Sequence, residues 1–394
     1  MRSCDLCESP RSRPAVRFSG RRALRSDGLI VPTALEKDEC AECGLVRSTG
    51  EFEAAAPGLN DGEYRGATSR GYSFYTPSGT VPRSTALADW MMALAGGEFL
   101  AASRLFEMGA DDGELLDAVQ KRTGKRAGGF ELHHHRAAAA RRAGYDVTSD
   151  PRQIPGRDLD LIWSIAVLEH VASPSRFLSD LRRRLARRGT LVLAVPTQDV
   201  PSTDLLFIDH LWHFHTAHMC AFAEKCGFEV QRTVAGHPLM PNFSLHVWRA
   251  TESRRPARVS VKPVGARSVA GTIAALEHDC RTLDAHLAEA RAQGRRTAAF
   301  GLDEVFQIAR CYTSLGDAPL SCGLVDDPGR PEYRGYGLPV LKPEELSTLA
   351  IEDVILTANP HYYPRMSNRI RALGARPVPF LTAFGMLAGS SESL

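Results

Sequence analysis

The residues with the clearest chemistry are two cysteine pairs near the amino terminus. Cys4 and Cys7 form one pair, Cys40 and Cys43 form the other, and two residues separate the thiols of each pair. Two such pairs can place four thiolates at the corners of a tetrahedron, the geometry of a closed structural Zn²⁺ site. Two disulfides in a secreted domain are the alternative. The sequence favours zinc, because no signal peptide precedes the first pair and the remaining cysteines are scattered. A reducing cytoplasm is therefore expected.

A second group of residues predicts a nucleoside-binding turn. Glu107 ends a strand-like run, and a turn containing Gly109, Asp111 and Gly113 follows it. Glycine lets the backbone approach a ligand closely, and a helix beginning after such a turn points free N–H groups at that ligand. Glu131 ends the next strand-like run, where a carboxylate commonly binds two ribose hydroxyls.

The charge beside this turn selects among nucleoside ligands. The G-x-G-x-x-G fingerprint of NAD sites is missing, and acidic residues beside the turn disfavour a pyrophosphate. They suit S-adenosylmethionine, whose sulfonium is cationic. A strand, turn and helix whose acids merely face solvent is the alternative. The predicted cofactor-binding residues are Glu107, Gly109, Asp111, Gly113, Glu131, Leu132, Ala166 and His170.

A third candidate site is a run of histidines. Four of them, His210, His213, His215 and His218, lie within nine residues. Imidazoles close in sequence can share a metal ion. They can also act as general acids or bases near neutral pH, or simply line a polar loop.

The elements that would position these residues alternate between strand and helix. Residues 96–250 show this alternation, which indicates a parallel, doubly wound sheet. A long helix is predicted within 258–294, followed by a second α/β unit with strands at 297–300, 324–327 and 353–357.

Composition sets broader limits. The chain has 394 residues, 43% hydrophobic and 24% charged, which predicts a soluble globular protein of two or three domains. A net charge of +2 with interspersed signs gives no basic face for nucleic acid. No apolar run reaches the roughly 20 residues of a membrane span.

Several of these segments resemble one family. The segment from Glu107 to Leu116 resembles the E-x-G-S-N-D-G-x-L-L signature of the sugar C-methyltransferases, and Asp160 to Val171 is similar to their next strand and loop. The Cys-Gly-Leu-Val sequence at 43–46 resembles their amino-terminal zinc module, and residues 325–346 resemble their carboxy-terminal Rossmann-like module. The likeness spans nearly the whole chain.

The resemblance implies an α/β protein with three modules. A small zinc-binding module with substrate-side loops is expected at 1–95. A class I, Rossmann-like methyltransferase domain that binds S-adenosylmethionine is expected at 96–250. A helical linker and a Rossmann-like α/β domain are expected at 251–394.

The resemblance also implies catalytic roles. The histidine run aligns with the family's Y-H-E-H-x-x-Y-F loop, with His210 at the implied base, Asp209 at its neighbouring Glu and His213 where the family has Tyr. The base would remove the proton beside the ketone of a nucleotide-linked keto-deoxysugar, and the enolate would take the methyl group. A tyrosine of the first module, Tyr64, Tyr72 or Tyr75, would reach the enolate oxygen. The predicted catalytic set is His210, Asp209, His213 and Tyr75.

Two other functions remain open from the sequence. One is an S-adenosylmethionine-dependent methyltransferase acting on another natural-product acceptor, including O- or N-methylation. The other is a non-catalytic zinc-ribbon scaffold. In either enzyme reading the partner is a small-molecule substrate, with no nucleic acid or membrane, and the protein is a monomer or a dimer.

Overall fold

The computed structural model describes residues 3–18, 20, 22–49, 73–76, 79–252, 266–329, 333 and 336–389. The chain divides into two compact units, each assembled from three segments. The first comprises Met1–Ala15, Lys37–Val200 and Asp209–Ala266, and the second comprises Val16–Glu36, Pro201–Ile208 and Arg267–Leu394. The three-module division of the sequence stays a prediction.

Short strands dominate the amino-terminal part of the chain. They are β1 (Ser12–Phe18), β2 (Ala23–Leu24), β3 (Ile30–Val31), β4 (Leu35–Cys40), β5 (Val46–Ser48), β6 (Ser73–Thr76) and β7 (Gly79–Pro82). Helix α1 (Arg83–Ala101) follows β7 directly. β2 pairs with β3 and β6 pairs with β7, both antiparallel.

Strands and helices alternate through the next part of the chain. They are β8 (Leu105–Met108), α2 (Glu114–Thr123), β9 (Gly128–Phe130), α3 (His134–Arg142), β10 (Asp146–Thr148), β11 (Leu159–Ile165), α4 (Pro174–Arg184), β12 (Leu185–Pro196), β13 (Trp212–His213), α5 (Thr216–Lys225), β14 (Phe228–Ala235) and β15 (Phe243–Ala250).

Seven of these strands form the central sheet, in the order β10-β9-β8-β11-β12-β15-β14. The pairs from β10 to β12 are parallel, whereas β15 runs antiparallel to both of its neighbours. The strand order reverses between β8 and β11, and ligands bind open α/β sheets at the carboxyl ends of strands flanking such a reversal.

The central strands are apolar on both faces because helices cover the sheet on both sides. Leu161, Ile162 and Trp163 of β11 are fully buried. The Trp163 ring packs against Phe99 of α1, with 5.6 Å between ring centroids. This core fixes the strand ends from which the candidate site is built.

A separate four-stranded sheet has the order β1-β4-β5-β13. Its last strand comes from the histidine run, and Trp212 and His213 lie opposite Arg47 and Val46 in antiparallel register. β13, which begins two residues after the candidate base His210, is therefore an edge strand of this sheet. The sheet also contains Cys40 and is called the cysteine-bearing sheet below.

The second unit contains a parallel sheet in the order β18-β17-β16-β19-β20. Its elements are α6 (Ala266–Ala292), β16 (Thr297–Phe300), α7 (Glu304–Tyr312), β17 (Gly323–Leu324), β18 (Val340–Leu341), β19 (Asp353–Leu356), α8 (Tyr363–Ala372), β20 (Arg376–Pro379) and α9 (Thr382–Gly389).

The predicted fold class, mixed α/β with a Rossmann-like central sheet, is confirmed. Two details differ from the sequence reading. The expected strand at 324–327 is only Gly323–Leu324, because Asp327 accepts the N–H of Gly329 and starts a turn. β15 breaks the parallel pattern, since it reaches its place beside β12 through a short connection from β14. No helix in the described part of the chain is long and apolar enough to cross a membrane.

A buried carboxylate lies at the amino end of the parallel sheet in the second unit. Asp353, at the start of β19, accepts two hydrogen bonds from Arg376 at 2.7 and 3.0 Å. Arg295 and His286 contact its Oδ2 at 2.9 and 3.0 Å. Asp353 is 1% exposed, so these groups replace its water.

Replacing Asp353 with Ala should lower the free energy of unfolding by about 3–5 kcal/mol, because it leaves the mostly buried Arg295 guanidinium without this buried anion. Urea denaturation measures the change. Asp317→Ala is the control, since it removes an exposed ion pair to Arg22 that contributes about 1 kcal/mol or less. Equal effects of the two variants would contradict the special role of Asp353.

Candidate cofactor and acceptor site

The turn after β8 has the backbone that its glycines predict. Gly109 and Gly113 have φ values of +87° and +89°. A Cβ atom on Gly109 would lie 2.4 Å from Val167 Cγ2, and one on Gly113 would lie 2.5 Å from the ring of Tyr145. Both positions therefore require glycine for the backbone angle and for the space.

Glu131, at the end of β9, ties the turn to the next helix. One carboxylate oxygen accepts the N–H of Asp111 and the other accepts the N–H of His133, both at 2.9 Å. Burial raises the pKa of Glu131, while these two N–H groups act in the opposite direction. Each oxygen keeps a further acceptor site, so the carboxylate can hold the turn and still accept a ribose hydroxyl.

Glu107, at the end of β8, is the most deeply buried carboxylate at this edge. It is 1% exposed, and its Oε2 has no hydrogen-bond partner among the described residues. Burial raises the pKa of Glu107 well above its usual range, and Trp163 opposes this only in part. Nearby Asp111, Asp112 and Glu131 raise it further. A cationic ligand group would relieve this excess of negative charge, so the residues fit S-adenosylmethionine.

Arg136 is a component that sequence reasoning missed. Its guanidinium pairs with Asp111 and lies 3.7 Å from the Asp112 carboxylate. The residue is buried on α3, so it balances two acids of the turn from the helix that follows the next strand. It directly follows the His133–His135 run, and no local pattern in the sequence links it to the turn.

The remaining predicted cofactor residues lie at the same strand ends. Ala166 follows β11 with φ +55° and donates its N–H to Ala194 at 2.8 Å. Leu132 follows Glu131 and leaves apolar surface exposed. The structure thus brings together the ends of β8, β9 and β11, as the sequence predicts for a cofactor site.

His170 lies beside the histidine run instead of standing alone after β11. Its Nδ1 is 2.9 Å from the carbonyl oxygen of Asp209 and 3.8 Å from the Asp209 carboxylate. Because a carbonyl only accepts, Nδ1 carries the proton and a neutral ring keeps its lone pair on Nε2. Asp209, predicted to orient His210, thus contacts His170, and its predicted role stays a prediction.

His210 lies against the His170 ring. The two rings meet edge to face with 4.6 Å between centroids, and His210 is buried. One ligating atom each from Glu169, His170 and His210 lie within 4.8 Å of one another. This cluster has the composition of an acid/base site and also of a two-histidine, one-carboxylate metal site.

The other histidines of the run hold structure. Nδ1 of His215 lies 3.0 Å from Asp199, at the start of α5. His218 accepts the N–H of His215 and donates from Nε2 to the carbonyl of Cys43 at 2.8 Å. Burial lowers the pKa of His218 to about 4, so it is neutral near pH 7. Burial acts to raise the pKa of Asp199, but hydrogen bonds from His215 and Thr216 outweigh it and lower the value to about 2.

The other predicted catalytic residues divide in two groups. His213 is buried on β13, in the four-stranded sheet. Tyr64, Tyr72 and the side chain of Tyr75 lie outside the described part of the chain.

The four amino-terminal cysteines converge. The Sγ atoms of Cys4 and Cys43 are 3.6 Å apart, those of Cys7 and Cys40 are 3.5 Å apart, and all four lie within 4.8 Å of one another. A tetrahedral zinc with sulfur ligands at about 2.3 Å places its sulfurs about 3.8 Å apart. A disulfide needs about 2.0 Å, and all nine cysteines are free thiols.

The two cysteine turns share one backbone design. Gly44 donates its N–H to the Cys40 carbonyl, and Glu8 donates to the Cys4 carbonyl, each at 2.9 Å. Both residues follow the second cysteine of their pair and have positive φ, +80° and +63°. This repeated geometry aims four thiols at one point.

Residues 82–233, less than half of the chain, match a family model described as a methyltransferase domain. No curated protein matches the chain.

Three solved structures share part of the fold. The mitomycin 7-O-methyltransferase is 18% identical, with a TM-score of 0.37, over 43% of this chain and 53% of its own, so the match spans about half of that protein. An S-adenosylmethionine-dependent methyltransferase from Mesorhizobium loti is 17% identical, with a TM-score of 0.35, over 41% of this chain and 97% of its own. Magnesium protoporphyrin IX methyltransferase from Synechocystis, with bound S-adenosylhomocysteine, is 17% identical, with a TM-score of 0.34, over 42% and 83%.

The family match covers the glycine turn, the acidic strand ends and the whole histidine run together. This chain therefore carries a methyltransferase domain at residues 82–233.

Proposed function

We propose that this protein is a C-methyltransferase acting on the carbon next to the ketone of a nucleotide-linked keto-deoxysugar. The observation that carries the proposal is the group of Glu169, His170 and His210, which lies where β11 and the histidine run meet and in which Glu169 and His210 are buried. A carbon acid of this kind must lose a proton to a base before methyl transfer. A group of imidazoles beside a carboxylate can supply that base at neutral pH.

S-adenosylmethionine, when bound, supplies an electrophilic methyl group. Glu131 and the turn at Gly109 hold its nucleoside, and Glu107 offers negative charge to its cationic part. The acidic turn leaves no group suited to a pyrophosphate, so the sugar nucleotide binds elsewhere on the protein.

His210 takes the proton from the carbon beside the ketone onto a ring nitrogen. The resulting imidazolium lies near the Glu169 carboxylate, which stabilises its positive charge in a buried setting. His170 donates a hydrogen bond from Nδ1 to the Asp209 carbonyl. Its lone pair is therefore on Nε2, the ring nitrogen that remains available to the site. Tyr75 is the proposed donor to the enolate oxygen, and His213 the proposed lining residue of the acceptor loop.

A second acceptor class follows from the same geometry. The proposed base would equally deprotonate a hydroxyl of another natural product, giving O-methylation. Products from a set of acceptors decide between the two, since C-methylation leaves a methyl group that survives acid hydrolysis of ethers and esters. A non-catalytic scaffold would bind neither S-adenosylhomocysteine nor an acceptor.

The first test concerns the cofactor site. Glu131→Ala should weaken binding of S-adenosylhomocysteine about 10- to 100-fold, because hydrogen bonds to a charged group contribute about 1.5–3 kcal/mol. Isothermal titration calorimetry measures the affinity. Glu229→Ala, an exposed acid on β14, is the control and should bind as the unmodified protein does. Unchanged affinity in Glu131→Ala would remove this carboxylate from the site.

The second test isolates proton removal. With S-adenosylhomocysteine bound, no methyl transfer occurs, and the protein should exchange the proton beside the ketone of dTDP-4-keto-6-deoxyglucose with D₂O. His210→Ala should slow this exchange about 10²- to 10⁴-fold, the usual contribution of a general base. Proton NMR follows the exchange, and His134→Ala, an exposed histidine, is the control. Exchange at the normal rate in His210→Ala would assign the base elsewhere.

We also propose that Cys4, Cys7, Cys40 and Cys43 hold one structural Zn²⁺ ion. Their sulfur spacing and paired turns support this, and such a site stabilises the fold without taking part in the reaction. Lys225 strengthens the first turn by donating to the carbonyls of Asp5 and Leu6 at 3.0 and 2.8 Å.

Purified protein should contain one zinc per chain by atomic emission. Cys40→Ser should lose the metal and lower the melting temperature, whereas Cys220→Ser, which changes an exposed cysteine, should keep both. A second metal equivalent that His170→Ala removes would instead favour a metal at Glu169, His170 and His210, and would count against a free base there. Full metal retention in Cys40→Ser would contradict the four-cysteine site.

A further inference from the structure

A fully buried lysine lies in the cysteine-bearing sheet. Lys37, on β4, is 0% exposed, although lysine is almost never completely buried unless its charge is paired or hydrogen-bonded. Its Nζ donates to the Ser48 hydroxyl at 3.0 Å and to the carbonyl oxygen of His210 at 2.9 Å. A buried side-chain amine thus contacts the peptide of the proposed base.

The His210 carbonyl receives a second donor from the same sheet. The hydroxyl of Ser48 lies 3.1 Å from that oxygen. Two donors from β4 and β5 therefore fix the plane of the peptide that follows the His210 side chain.

The peptides on either side of His210 are also held. The carbonyl of Asp209 accepts from His170 at 2.9 Å. The N–H of Leu211 donates to the Glu169 carbonyl at 2.7 Å, and its carbonyl accepts from the N–H of Ser48 at 2.9 Å. Lys37 thus adds to this series a contact from a buried side chain to the residue proposed to move the proton.

We propose that Lys37 is a positioning residue for His210, which it holds in reactive orientation through the His210 carbonyl; this rests on the proposed function, in which His210 is the base. The cysteine-bearing sheet then has a second task besides metal binding. It carries the lysine that fixes the acceptor loop, so the geometry of the base depends on residues more than 150 positions earlier in the chain.

Lys37→Met tests this, because methionine fills a similar volume without donating a hydrogen bond. In zinc-loaded full-length protein with S-adenosylhomocysteine, the variant should lower the deuterium exchange of dTDP-4-keto-6-deoxyglucose at least tenfold. Affinity for S-adenosylhomocysteine should stay within twofold, and the zinc content should not change.

A spectroscopic signal separates positioning from general stability. In protein labelled with ¹³C at histidine Cε1, the His210 signal is identified by its loss in His210→Gln, and Lys37→Met should shift that signal. Lys125→Met is the matched control, since Lys125 also donates to backbone carbonyls, those of Phe99 and Ala102 among them, but does so at the end of α1. It should leave the His210 signal and the exchange rate unchanged.

Ser48→Ala keeps the test decisive if Lys37→Met does not fold, because it removes only one of the two donors to the carbonyl. It should shift the same signal and lower exchange about threefold. An unmoved His210 signal with normal exchange, in whichever of the two variants folds, would overturn the proposal. If His210→Ala itself exchanges normally, the base assignment fails, while the signal still reports whether Lys37 holds that loop.

Discussion

The arrangement of this site depends on the backbone pairing of one short segment. Residues 209–213 hydrogen-bond to the 169–170 turn on one side and to β4 and β5 on the other. Backbone groups buried away from water must find partners, and here they find them on a turn and on the four-stranded sheet. The backbone of this segment therefore has little conformational freedom, and its hydrogen bonds fix the position of the His210 side chain.

The turn that is predicted to bind the cofactor differs from this segment, because its buried charges are only partly balanced. Glu107, Glu131, Asp111 and Asp112 crowd one turn, and burial raises the pKa of Glu107 and of Glu131. Arg136 and backbone N–H groups offset part of this repulsion. The remaining repulsion between these acids destabilises the free protein. A positively charged ligand would remove it, so the site favours a cationic cofactor. This part of the chain thus combines a histidine segment held by main-chain hydrogen bonds with a turn that carries excess negative charge.

Sequence patterns predicted the local part of this design. The strand at Thr297–Phe300 was expected with its observed bounds, and positive φ at Gly109 and Gly113 follows from glycine chemistry within one turn. The convergence of the four cysteines could be predicted, because two closely spaced pairs can place four thiols around one point. Lys37 and Arg136 could not, since each looks like an ordinary surface cation and meets its partner 173 or 25 residues away. The four histidines likewise looked equivalent until burial and partners separated His210 from His215 and His218.

The hydrogen bond between His218 and Cys43 joins residues 175 positions apart, and this has a consequence for synthesis. At about 5–20 residues per second, the ribosome needs on the order of ten seconds or more to make the intervening chain. During that interval the cysteine turns and the open edge of β5 are outside the ribosome without β13. Exposed strand edges pair readily with other chains. Early metal capture by the thiols would keep the nascent segment compact until its own last strand arrives.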